Sequence, residues 1–233
     1  MLSYLRKEVC NANLDLIKYK LVTLTWGNVS GIDREKGLVV IKPSGLPYEK
    51  IKLSDMVIVD LEGNVVEGKH KPSSDTLSHL QLYKELEDIG GVAHTHSKYA
   101  TIFAQACMEI PCLGTTHADS FYGAIPITRF LSGEEIKEGY EKNTGKIIVE
   151  RFKDINPLEM PAVLVKGHGP FTFGKTPSEA AENSFILENV AEMAFGTLRI
   201  NPKSENLPEE ILKKHYNRKH GPNAYYGQNK KEK

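Results

Sequence analysis

Cysteine is scarce in this chain: Cys10, Cys107 and Cys112 are all that 233 residues contain. No C-x-x-C pair joins them, so there is no basis for a disulfide framework, and free thiols in a reducing compartment are expected. No apolar run approaches the roughly 20 residues of a membrane-spanning helix. The N-terminal segment is amphipathic rather than continuously apolar, so no targeting segment is expected either. An excess of one charge is also missing. Thirty Lys and Arg balance thirty Asp and Glu, which leaves no global field to recruit nucleic acid or an anionic membrane, although a local basic patch can still hold a phosphate. Nothing of low complexity divides the chain, and a single cytoplasmic domain over residues 1–233 is the expectation.

What is present is a mixture of helical and strand periodicities. Leu2, Leu5, Val9, Ala12, Leu16 and Tyr19 predict a one-sided helix over 2–19. Antiparallel strands are expected next at 21–25, 28–32 and 38–41, then a hairpin from 56–61 to 65–66 around Glu62-Gly63-Asn64. Two corners of small residues interrupt this sheet, Gly27-Asn28 and Lys42-Pro43-Ser44-Gly45. They are either ordinary turns or places where spare backbone N–H groups hold an anion. Ser73, Ser74 and Asp75 precede a helical pattern at His79, Leu82, Leu86 and Ile89. They read as caps or, because a helix N-terminus favours negative charge, as part of a phosphate site.

Gly90-Gly91 opens a further strand, and Ser97 is placed to cap the helix marked by Tyr99, Ile102, Phe103 and Ala106. Residues 114–119 read as a polar loop and 125–129, with Pro126, as an edge strand. Ser132 to Glu135 forms a capping box whose helix is expected to stop near Gly145, followed by strands at 146–152 and 162–165. Thr176-Pro177-Ser178-Glu179 opens a long helix through Leu198. A last short helix from Pro208 to about His215 leads into an unusually aromatic tail.

The histidines carry the functional signal. His70, His79 and His220 lie among polar neighbours and read as surface residues. His94 and His96 are two apart in an extended segment, so their side chains share one face. They are either satisfied core imidazoles or two ligands of one metal. His168, between Gly167 and Gly169, is the best third ligand, and Asp75 can add a carboxylate. Three imidazoles and a carboxylate suit zinc, with manganese, cobalt or iron as alternatives.

In order along the chain, Thr25-Trp26-Gly27-Asn28-Val29-Ser30, Ile41 to Gly45, Lys71 to Thr76, His94-Thr95-His96-Ser97, Gly114-Thr115-Thr116-His117-Ala118-Asp119, His168-Gly169-Pro170-Phe171 and Tyr225-Tyr226-Gly227-Gln228 resemble the class II sugar-phosphate aldolases and adducin heads. The resemblance is strongest to the branch of that family that epimerises pentulose phosphates. It implies a three-layer α/β/α sandwich around a largely antiparallel sheet. It also implies a cyclic homotetramer with active sites between neighbours, residues 216–233 reaching toward an adjacent subunit.

The resemblance makes Asp75, His94, His96 and His168 the ligands of one divalent metal per subunit, most simply zinc. It puts Gly27, Asn28, Lys42, Ser44, Gly45, Ser73 and Ser74 around the substrate phosphate. Asp119 becomes the acid/base and Tyr226 its partner, arriving from the neighbour. The chemistry implied is cleavage of C3–C4 in L-ribulose 5-phosphate, rotation of glycolaldehyde phosphate, and re-addition to give D-xylulose 5-phosphate. His215 and Arg218 either bind phosphate, support the tail or are simply solvated. The alternatives are an aldolase that releases the aldehyde and a non-catalytic module like the adducin head.

Overall fold

The computed structural model describes residues 2–227, so Gln228 and the extension 229–233 lie outside the described residues. Helix α1 (Ser3–Lys18) is followed by β1 (Asn28–Asp33), β2 (Leu38–Ile41), β3 (Val57–Asp60), β4 (Val65–Glu67), α2 (Thr76–Glu85), β5 (Gly91–His94) and α3 (Lys98–Gln105). Then come α4 (Thr115–Ala118), α5 (Gly133–Arg151), β6 (Ala162–Val165), β7 (Gly169–Gly174), α6 (Pro177–Ile200) and α7 (Glu209–His220). The strands form one seven-stranded sheet in the order β4-β3-β2-β1-β5-β7-β6. Every neighbouring pair is antiparallel.

Alternation along the strands assigns the two faces. Val29, Ala93 and Thr172 are cross-strand partners. They turn toward α1 and α6, where Ala12, Leu16, Ala180 and Ala181 join Val29 and Ala93 in one buried cluster and the Thr172 hydroxyl donates to the Ala180 carbonyl at 2.8 Å. Ser30, Val92 and Phe173 face the other way. On that side α2 and α5 pack together, and the Ser30 hydroxyl meets His79 Nδ1 at 2.7 Å and the Tyr83 hydroxyl at 2.8 Å. The result is helices on both faces of an antiparallel sheet, as the family resemblance implies. His79 is therefore not a surface residue: it is fully buried beneath the sheet, with its Nδ1 satisfied by Ser30.

Four local expectations are corrected. Residues 21–25 form no strand, because Lys20 and Leu24 take positive φ of 59° and 55° and the segment turns on itself, Trp26 N–H donating to the Thr23 carbonyl. Residues 114–119 contain the short helix α4 rather than only a loop. Residues 125–129 pair through isolated bridges, Ile125 with Ile110 and Ile127 in parallel with Leu164. Pro126 can only accept there, taking the Leu164 N–H at 2.9 Å. Finally, Gly145 does not end a helix, and 146–152 is not a strand. The capping box at Ser132 and Glu135 forms as expected, but α5 runs on to Arg151. Gly145 instead lets α5 approach α2, since a Cβ there would lie 2.6 Å from Gln81 Cβ and 2.8 Å from the Ser78 carbonyl oxygen. Ile147, Ile148 and Phe152 are buried from this helix, a spacing that suits one helical face as well as a strand.

His117, on α4, sets a pH limit on stability. Its Nε2–H donates to the Gly123 carbonyl at 2.8 Å, and its buried Nδ1 has no partner. Protonation would strand a donor in the interior, and burial lowers its pKa to about 4. Because the folded-state value lies below the unfolded value of 6.5, the unfolded chain takes up the proton first. The stability contribution, ~3 kcal/mol, is complete above about pH 6.5 and lost as pH falls toward about 4. Urea midpoints measured across that interval should fall in the wild type and fall less in His117→Gln, which keeps a donor but does not titrate; equal slopes would refute the assignment.

Candidate metal and phosphate site

The C-terminal end of β5 delivers the first imidazole. His94 is held in register between Asn28 of β1 and Phe171 of β7. Its ring stacks on Phe171 with centroids 4.3 Å apart. Its Nδ1–H donates to the Pro170 carbonyl at 2.9 Å, which fixes the tautomer and leaves the Nε2 lone pair free. His96, two residues on, brings its Nε2 to 3.1 Å from that atom, and His168 Nε2 lies 3.1 Å from His96 Nε2. His168 sits in the tight turn from β6 to β7, with Gly167 at a φ of 74°. The three ligand-capable nitrogens lie within 4.8 Å of one another.

Burial and the neighbouring His94 and His96 lower His168 to about 4, and burial and His94 lower His96, so both of these rings are held neutral. The three facing nitrogens cannot satisfy one another, because a proton on His96 Nε2 serves only one of its two contacts. A tetrahedral ion with ~2.05 Å nitrogen bonds sets its ligands about 3.3 Å apart, close to the spacing found. The residues present therefore fit a divalent metal.

Asp75 lines the same cavity but lies outside the tight imidazole group. It occupies the N-cap position of α2 without making a side-chain cap. Instead its Oδ2 accepts from Asn28 Nδ2 at 2.6 Å. Burial would raise its pKa, but the imidazoles of His94 and His79 and the Asn28 hydrogen bond outweigh that and hold it low. A partly buried anion free of capping duty, in the same cavity as three imidazoles, is available to a cation. Ser97 likewise sits at an N-cap without capping; Glu188 of α6 accepts the Tyr99 and Ala100 N–H groups at 2.9 and 3.1 Å in its place.

The cavity has a volume of about 370 Å³, and Gly27, Asn28, Lys42, Ser44, Gly45, Ser73 and Ser74 line it together with Asp75 and the three histidines. Gly27, at a φ of 78°, passes so close that a Cβ would stand 2.9 Å from the His94 carbonyl oxygen. The loops carrying Lys42 and Ser73 are bridged to each other, Ser44 N–H to the Lys71 carbonyl and Ser73 N–H to the Lys42 carbonyl, both at 3.0 Å. Those two N–H groups are thus spent on the bridge and are not offered to an anion. Lys42 is the cation among the lining residues. Its Nζ lies 4.6 Å from the centroid of the Tyr48 ring and donates to the Thr25 carbonyl at 3.1 Å, and burial lowers its pKa to about 8 against the opposing pull of Asp75.

Asp119 and Tyr226 do not line this cavity. Asp119, at the C-terminal end of α4, accepts from Arg218 Nε at 2.8 Å and His215 Nδ1 at 3.1 Å, and Arg218 Nη2 binds its second oxygen. Burial acts to raise its pKa, but the Arg218 and His215 hydrogen bonds overcome this and hold the carboxyl below its usual range. The helix carrying these partners extends to His220, five residues past the expected end, because Tyr216 is buried against Tyr122 and His220 donates to the Asp119 carbonyl. Tyr226 folds back onto the same helix, its N–H on the Arg218 carbonyl and its ring 4.9 Å from the guanidinium carbon. Arg218 and His215 are accordingly not simply solvated; they tie Asp119 and Tyr226 into one unit on one chain.

One cavity residue escaped the sequence reading. Tyr140 lines the pocket beside His168, just after a break in α5 at Gly139. A glycine inside an otherwise helical run was the signal available.

The Class II Aldolase and Adducin N-terminal domain family matches residues 7–195. The chain is 55% identical over 224 residues to the L-ribulose-5-phosphate 4-epimerase UlaF of Salmonella paratyphi B, covering 96% of this chain and 98% of that one. The protein of the same name from Salmonella typhi is equally similar. Among solved structures, an L-fuculose 1-phosphate aldolase superimposes with a TM-score of 0.79 at 26% identity, covering 91% of this chain and 93% of that one. The L-fuculose 1-phosphate aldolase from Glaciozyma antarctica does so with 0.75 at 18% identity, covering 92% and 80%.

The Lys42 geometry is testable alone. Above neutrality inorganic phosphate is already mostly a dianion, so its affinity for the cavity should fall as pH rises through about 8 and Lys42 loses charge. Lys42→Met should bind roughly tenfold more weakly and without that pH dependence, read by titration calorimetry. A flat wild-type profile would contradict the role given to the lysine.

Proposed function

The chain belongs to the class II aldolase and adducin N-terminal domain family, and from that membership we propose how its two groups of polar residues carry out a pentulose-phosphate epimerisation. It is an L-ribulose-5-phosphate 4-epimerase, as its relatives at 55% identity are. The observation that carries the reading is the meeting of three imidazole Nε2 atoms beside a cavity that also holds Lys42, Ser44 and Ser74. It supports one electrophilic centre and one anion subsite within reach of a single small molecule.

In this reading Asp75, His94, His96 and His168 hold the ion, zinc by the preference of a nitrogen-rich donor set. When bound, it supplies Lewis-acid polarisation of the ketose oxygens, an effect on the order of several kcal/mol. Lys42, Ser44, Ser73 and Ser74, with Gly27, Asn28 and Gly45 giving backbone room, grip the phosphate. That grip keeps glycolaldehyde phosphate in place while its carbonyl turns, so recombination outruns escape. Cleavage needs a base at the C4 hydroxyl: its proton leaves, the C3–C4 electron pair moves toward C2, and C4 becomes an aldehyde. Re-addition to the opposite face re-forms C3–C4 and needs an acid for the new C4 oxygen.

Asp119 and Tyr226 fill those two roles, and exchange them in the reverse reaction. The Asp119 carboxyl is held ionised by Arg218 and His215, which suits it to begin as the base. Since this unit stands away from its own chain's cavity, it serves the site of a neighbouring copy in a closed ring of four subunits. An aldolase reading would need the fragments to part. Incubation of the metal-loaded protein with L-ribulose 5-phosphate should yield D-xylulose 5-phosphate by NMR; stoichiometric glycolaldehyde phosphate instead would establish the aldolase.

Subunit mixing tests the division of labour. Combining inactive His96→Asn and Asp119→Asn proteins, with exchange verified, should restore about a quarter of the sites in a four-membered ring. Combining Asp119→Asn with Tyr226→Phe should restore none, because Arg218 joins those two residues on one chain. Recovery in the second mixture, or its absence in the first, would overturn the arrangement.

A further inference from the structure

Of the three clustered imidazoles, His168 is the one delivered by a turn, just before β7, rather than from the β5 end. His94 is oriented by a main-chain carbonyl. His168 Nδ1 instead faces the Tyr140 hydroxyl at 3.2 Å, with the two rings 6.0 Å apart. A phenol hydroxyl both donates and accepts, so at this distance the Tyr140 oxygen can accept the Nδ1–H.

The fold makes a specific arrangement for this contact. Gly139 adopts φ 154° and ψ 98°, outside the helical region and favourable only for glycine, and so breaks α5 immediately before Tyr140. The break is supported from both sides: Asn143 Nδ2 donates to the Glu135 carbonyl at 2.7 Å, and Thr144 Oγ1 donates to the Tyr140 carbonyl at 2.8 Å. Asn143 and Thr144 are themselves buried, so the displaced turn is locked in place. A helix interrupted at a glycine and re-anchored by two buried side chains carries Tyr140 to the cavity wall. Nothing in the packing of α5 on α2 requires that tyrosine, which is 39% exposed.

We propose that Tyr140 is a positioning residue for the metal centre: its hydroxyl accepts the Nδ1–H of His168 and so fixes the tautomer and ring orientation that present Nε2 to the ion. This rests on the reading of the three histidines as ligands. A ligand tethered only by a turn loses more from free rotation than one pinned in a strand, and loss of such an outer hydrogen bond typically weakens metal binding by about 10–100-fold.

The experiment strips the full-length protein of metal and titrates it with Zn²⁺ against a chromophoric chelator. Tyr140→Phe should bind Zn²⁺ about 10–100-fold more weakly than wild type, while the melting temperature of the metal-free protein stays unchanged. In ¹⁵N-labelled protein, the His168 Nδ1–H signal should appear in the Zn²⁺-loaded wild type and be lost in Tyr140→Phe. Zn²⁺ affinity within twofold of wild type, or an Nδ1–H signal unaltered by the substitution, would overturn the proposal. His96→Asn separates the two readings: if it loses Zn²⁺ and Tyr140→Phe does not, only the role of Tyr140 falls. If His96→Asn binds Zn²⁺ like wild type, the ligand set itself is wrong and the proposal falls with it.

Discussion

The pairing of β5 between β1 and β7 is the constraint on which the site depends. Register places Asn28, His94 and Phe171 side by side on the α2/α5 face. A shift by one residue would turn His94 toward α6 and dismantle the cluster, since neighbouring side chains on a strand point to opposite faces. With register fixed, Phe171 stacks against one side of the imidazole, the Pro170 carbonyl takes its Nδ1–H, and Asn28 reaches the Asp75 carboxylate. The first imidazole of the cluster and its supports are thus consequences of one set of backbone hydrogen bonds. The cost of gathering ring nitrogens at 3.1 Å is borne by a sheet whose neighbouring positions are fully buried.

The second constraint is that Asp119 and Tyr226, the proposed acid/base pair, are held together away from the cavity. Arg218 grips Asp119 through two nitrogens and lies under Tyr226, while His215 and His220 close the remaining positions around Asp119. A carboxylate so heavily hydrogen-bonded is rigid and ionised in the isolated chain. Under the proposed reading, an epimerase needs a proton carrier on each face of the captured aldehyde, and the junction of the α4 end with α7 and its tail holds such a pair, Asp119 and Tyr226, in one piece.

Much of this was legible in the sequence, for identifiable reasons. The spacing of His94 and His96, the glycines flanking His168, and the small-residue corners at Gly27 and Ser44 carry their geometry locally, while their convergence on one cavity was implied only by the family resemblance, because spacing does not say which loops meet. The capping box at Ser132 was legible for the same reason, and so was the Thr176 cap, although the Glu179 side chain there accepts from the Lys175 N–H rather than closing a box. The failures came where tertiary contact outweighed local pattern. Gly145 looked like a helix stop but is a contact point between helices. His79 looked solvated but is sealed under the sheet by Ser30 and Tyr83. Tyr140 gave no periodic signal, because its placement comes from a break in the helix at Gly139. The helix through His220 was under-read because its partner, Asp119, lies about a hundred residues earlier.

The central claim is that epimerisation runs through a metal held by the imidazole cluster. Elemental analysis of the purified protein, coupled to the rate of D-xylulose 5-phosphate formation as a chelator removes the ion stepwise, tests it most directly. The account predicts one divalent ion per chain, activity falling in proportion to ion content, and recovery on adding the metal back. Full turnover in protein stripped of metal would contradict it.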